Sequence, residues 1–72
     1  MKDIRFCRKL EMARNAAIAD GRQVAIVKHL RSDEWEMVEG HTTLVPDVVV
    51  KRDGRTVAFT VVGRRALAEA AY

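Results

Sequence analysis

Chemistry in a protein needs a nucleophile beside a base, a pair of carboxylates, or several metal ligands at matched spacing. This 72-residue chain has few residues that could supply any of these. Ser32 is the only serine, and it stands in Arg31-Ser32-Asp33, where turn formation accounts for it. Cys7, the only cysteine, falls at helical spacing among apolar residues and reads as a small buried hydrophobe. His29 and His41 lie far from each other and from Cys7 and lack the spacing of a zinc motif. Glu34 and Glu36 share one strand face around Trp35, an arrangement open to acid–base work but better explained as a solvent face. Gly21, Gly40, Gly54 and Gly63 are isolated, each with a turn or cap to explain it, so no phosphate-cradling loop exists. The expectation is a non-enzymatic protein with no cofactor and no metal.

Charge carries more information. The net charge is +3, yet residues 1–31 hold eight Lys/Arg against three Asp/Glu, residues 32–50 hold none against five, and residues 51–72 hold five against two. Those blocks sum to +5, −5 and +3. A basic sum favours an anionic partner, while the acidic middle argues against a surface that coats nucleic acid uniformly. Nine of the thirteen cations are Arg, whose planar fork suits carboxylate and phosphate alike.

The elements that must position these charges follow from periodicity. Residues 3–20 read as a helix, with Asp3 as N-cap and Gly21 as C-terminal stop. Phe6, Cys7, Leu10, Ala13, Ala17 and Ile18 fall in one sector of about 140°, the width of a core-facing stripe. Lys2, Arg5, Arg8 and Lys9 fall on the opposite side, where cations in the first turns oppose the helix dipole. Work against local stability marks this face as a candidate for function. Residues 22–30 read as a strand, Arg31-Ser32-Asp33 as a turn, and residues 34–38 as a second strand with Trp35 and Met37 on one side. Residues 42–45 extend or repeat that strand, and Pro46 excludes a central-strand position.

Residues 48–62 form the clearest hairpin signal, two β-branched runs joined by Asp53-Gly54. A two-residue type I′ turn places Arg52 opposite Arg55, Val50 opposite Val57 and Val48 opposite Phe59. Val48, Val50, Val57, Phe59 and Val61 then form a core face, with Val49, Lys51, Thr56, Ala58, Thr60 and Val62 on the other. Gly63 ends the strand, and residues 64–72 form a short helix docked through Leu67 or Tyr72.

The expected fold is a single compact α+β domain over residues 1–72: an N-terminal amphipathic helix packed on a small antiparallel sheet of three or four strands in a meander, then a short C-terminal helix. Apolar content of 49% with 32% charge fits a globular rather than a disordered chain. No apolar run has the length of a membrane span and no signal-peptide core is present, so no membrane is expected. A lone cysteine fits a reducing cytoplasmic setting. Small sheets with a part-apolar second face or an open edge also form homodimers.

Two binding classes remain. The helix–sheet–helix order is similar in outline to double-stranded-RNA-binding domains, although their basic patch at the start of a long final helix is reduced here to Arg64 and Arg65. Direct, weakly sequence-specific nucleic-acid binding is therefore the alternative, through the basic helix face and the hairpin tip. Protein binding is preferred, because opposite-charge blocks and a part-apolar sheet face suit an interaction module. In length and Arg/Ala richness the chain resembles the small accessory proteins of phages and mobile elements, which implies an accessory or inhibitory protein acting on a host nucleic-acid-handling complex. The expected partner-binding residues are Lys2, Arg5, Arg8, Lys9, Lys51, Arg52, Arg55, Arg64 and Arg65.

Overall fold

The computed structural model describes residues 2–39 and 45–71. In chain order its elements are α1 (Ile4–Asp20), β1 (Val24–His29), β2 (Glu34–Glu39), β3 (Val48–Val50), β4 (Thr56–Ala58) and α2 (Val61–Ala70). This is the expected α+β architecture. The expectations for Gly40, His41, residues 42–44 and Tyr72 fall outside the described residues.

Helix α1 begins where the sequence said it would, because the Asp3 carboxylate accepts the Arg5 and Phe6 backbone N–H groups at 3.0 and 3.3 Å. It ends at Gly21, whose φ of 64° is the left-handed conformation a helix C-cap requires. Phe6, Leu10, Ala13 and Ala17 are buried against the sheet. Two members of the expected stripe depart from it: Cys7 is half-buried, and Ile18 is 61% exposed. For Ile18 the reason is local packing at the end of the helix. By its last turn α1 has reached the β3–β4 connection, where Ile18 leans on Gly54 instead of entering the core.

The four strands are antiparallel in the order β2-β1-β3-β4. This order is not a sequential meander, because β1 lies between β2 and β3 and the chain returns past β1 to begin β3. Val24, Ile26, Val48 and Val50 face the helices and join Phe6, Leu10 and Trp35 in the core. Phe6 and Trp35 pack with ring centroids 4.7 Å apart, tilted by 55°, a geometry favoured by aromatic quadrupoles.

The β3–β4 hairpin corrects the expected turn. Its pairs are Val48 with Ala58, Val49 with Val57 and Val50 with Thr56, a register one residue away from the expected one. Lys51 donates its N–H to the Arg55 carbonyl at 2.7 Å, and Gly54 donates to the Lys51 carbonyl at 2.9 Å. Residues 52–54 therefore form a three-residue loop closed by Gly54 at φ 90°. Asp53 keeps negative φ, so the type I′ turn, which needs positive φ at two positions, does not form. Because strand side chains alternate with period two, a one-residue slip exchanges the faces of β4. Thr56 and Ala58 turn toward the helices, while Val57, Phe59 and Val61, expected in the core, are 37%, 57% and 63% exposed.

The end of the hairpin differs as well. Thr60 is the N-cap of α2, its hydroxyl accepting the Gly63 N–H at 3.0 Å, so Val61 and Val62 are helical and Gly63 lies inside the helix. Gly63 is buried where α2 crosses the start of β3, and a Cβ there would overlap the Asp47 carbonyl oxygen. Ala66 completes the contact of α2 with the core, and Leu67 packs against it as expected. No helix among the described residues is long and apolar enough to cross a membrane.

Candidate functional site

Two polar clusters and one groove organise the surface around the helices. The first cluster ties the start of α1 to the β1–β2 turn. Asp3 Oδ2 accepts the Trp35 indole N–H at 3.0 Å. Arg5 donates to the Asp33 carbonyl at 3.0 Å and to its carboxylate at 3.3 Å, and Lys28 Nζ reaches the same carboxylate at 2.9 Å. Lys28 also sits 5.5 Å from the Trp35 ring centroid, within cation–π range. The turn itself needs Asp33 at φ 58°, a conformation that Asp tolerates better than most residues. These contacts set the local protonation. The Trp35 hydrogen bond holds the Asp3 carboxyl below the usual carboxylate range, aided by the Phe6 and Arg5 N–H groups and opposed by partial burial. Lys28 and then Arg5 lower Asp33 in the same way.

The second cluster is centred on Asp47, the one charged side chain that is buried among the described residues. Its carboxylate accepts the Lys28 backbone N–H and the Thr60 hydroxyl, each at 2.6 Å, while its backbone carbonyl accepts the Phe59 N–H at 2.9 Å. One residue thus joins β1, the start of β3 and the start of α2.

Between these clusters lies a groove of about 210 Å³ lined by Asp3, Lys28, Trp35, Val61, Val62, Arg65, Ala66 and Glu69. It brings together a buried indole, two exposed valines and charges of both signs. A second depression holds Cys7 with Lys2, Leu10, Glu11, Arg14 and Ala70. His29 and Glu36 pair at 2.7 Å on the opposite face of the sheet. No three His, Cys, Asp or Glu side chains among the described residues gather in a way that could hold a metal ion.

The nine expected binding residues are not one surface. Lys2, Arg5, Arg8 and Lys9 stand at the start of α1, with Lys9 half-buried. Arg64 and Arg65 are exposed on α2, and Arg65 lines the same groove as Asp3. Lys51, Arg52 and Arg55 lie at the hairpin tip beside the last turn of α1, roughly 25 Å away for a 17-residue helix rising 1.5 Å per residue. Arg5 is engaged internally with Asp33, and Arg55 pairs with Asp53 at 2.8 Å. Asp33 was legible only as a turn residue, and Lys28 and Asp47 escaped sequence reasoning. Lys28 sits within an apolar strand and Asp47 follows a proline, and neither has a pattern that announces its distant partners.

Comparison with protein-family models, curated proteins and solved structures finds no match for this chain, so its functional reading rests on the geometry described above.

Proposed function

We propose that this chain is a non-enzymatic protein-binding module of the cytoplasm whose helical layer engages an acidic surface on a partner protein. The observation that carries the reading is the pairing of exposed cations with exposed apolar surface on one layer. Lys2, Arg8, Arg64 and Arg65 are exposed on or beside the helices and have no ion pair among the described residues, while Val61 and Val62 open the groove beside Trp35. An apolar centre with an Arg-rich rim is the anatomy of a protein interface. A single-strand nucleic-acid surface instead combines a cationic track with stacking aromatics. Here Trp35 is buried and Phe59 is on the opposite face of the sheet from the helices. An assembly that handles nucleic acid suits the partner role where it presents an acidic surface to this layer, and an accessory or inhibitory action follows from occupying that surface.

A charge-reversal experiment tests this. The Arg8→Glu/Arg64→Glu variant alters exposed positions, so its circular dichroism should match the wild type. Affinity capture from the native cell should retrieve a specific protein with the wild type and lose it with the variant. Titration of random duplex should show no binding at low salt. Micromolar duplex binding that falls steeply with salt would instead establish the nucleic-acid reading.

A further inference from the structure

The geometry points to β4 as a pairing edge for a second copy of this chain, giving a two-fold dimer whose sheet runs continuously through both copies. This inference does not rest on the basic helical layer, because the edge lies in the plane of the sheet.

The two edges of the sheet are treated differently. β2 carries Glu34, Glu36 and Glu39, all exposed, along its six residues, and charge on an edge strand opposes strand addition. β4 carries Thr56, Val57 and Ala58, with no charge, proline or bulge within the strand. Hydrogen bonds fix which of its backbone groups are open. Arg55 and Phe59 bond across to Lys51 and Asp47 on the β3 side, and antiparallel ladders alternate. The N–H and C=O groups of Thr56 and Ala58 therefore point away from the sheet.

Those four groups are self-complementary. Pairing two copies about Val57 sets Thr56 of each copy against Ala58 of the other as a hydrogen-bonded pair, and Val57 against Val57 as a close non-bonded pair. In the same register Arg55 of each copy lies opposite Phe59 of the other. A guanidinium over an aromatic ring is a favourable pair, and the arrangement avoids a like-charge contact at the strand ends. The exposed apolar side chains fall where this pairing covers them. On the sheet face away from the helices Ala25, Val27 and Val49 are buried, while Val57 and Phe59 on the β4 side are exposed.

The test is association of the full chain across a dilution series by sedimentation equilibrium. The wild type should approach twice the 8.1 kDa chain mass. Val57→Lys and Val57→Glu, placed at an exposed position, should each weaken self-association about fivefold through like charges directly opposite one another. An equimolar mixture of the two should restore pairing. For the wild type, the amide protons of Thr56 and Ala58 should exchange more slowly as concentration rises, a readout that needs no variant. A single-chain mass at every concentration would overturn the proposal. So would unchanged association of both variants, or amide exchange at Thr56 and Ala58 that ignores concentration.

Discussion

Phe59 and Phe6 are the same residue type with opposite fates, and the difference is measurable. Phe6 is fully buried against Trp35, so Phe6→Ala should cost about 3–5 kcal/mol, enough to unfold a domain of this size. Phe59→Ala, at an exposed position, should change stability by no more than about 0.5 kcal/mol. Chemical denaturation of both variants checks the pair together, and a severe loss at Phe59 would refute the observed register. Asp3 illustrates how much one small side chain can hold. It caps α1 with one oxygen and fixes the Trp35 indole with the other, so Asp3→Ala should cost about 1–2 kcal/mol in equilibrium unfolding.

Among the elements, α2 depends on contacts that local propensity does not reveal. Gly63→Ala should destabilise by about 3 kcal/mol, because the added methyl group meets the Asp47 carbonyl and backbone cannot easily withdraw. Thermal unfolding of this variant measures how firmly α2 is seated. Legibility in the sequence follows the same division. Helix α1 could be read to within a residue, since a capping Asp, an uninterrupted apolar stripe and a terminal Gly all agree. The β1–β2 turn was also readable from Arg31-Ser32-Asp33. The β3–β4 hairpin was recognisable as a hairpin, but Asp-Gly serves both a two-residue turn and the end of a three-residue loop. The alternation favoured the two-residue turn, which would place Val57 and Phe59 inward, whereas the chain pairs in the other register. Thr60 looked like a strand residue because its capping partner and its Asp47 contact come from the fold itself.

At the scale of the molecule, the lowered carboxylates give the protein an acid limit. Asp3, Asp33 and Asp53 all titrate below their ordinary values, through Trp35, Lys28 and the Arg55 backbone N–H respectively. A carboxyl lowered in the folded state stabilises above the unfolded value, and that contribution is lost as pH falls through the folded value. The midpoint of thermal unfolding should therefore be insensitive to these groups above about pH 5 and fall as pH drops below about 4. Asp3→Asn, which retains a capping side chain, should flatten part of that fall. The scattered cations were visible in the sequence. Their division between two ends of α1 was not, because it depends on how the helix lies across the strands.

Viewed as a choice between frames, the β3–β4 hairpin acquires a further meaning. The same residues can be threaded in two ways, one placing Val57 and Phe59 inward and the other placing Thr56 and Ala58 inward, and hydrophobicity alone favours the first. The chain adopts the second, with Asp47 bonded to Lys28, Phe59 and Thr60 and with Gly63 against its carbonyl. Asp47 thus ties β1, β3 and the start of α2 together in the adopted frame, and that frame leaves β4 as an uncharged strand at the edge of the sheet.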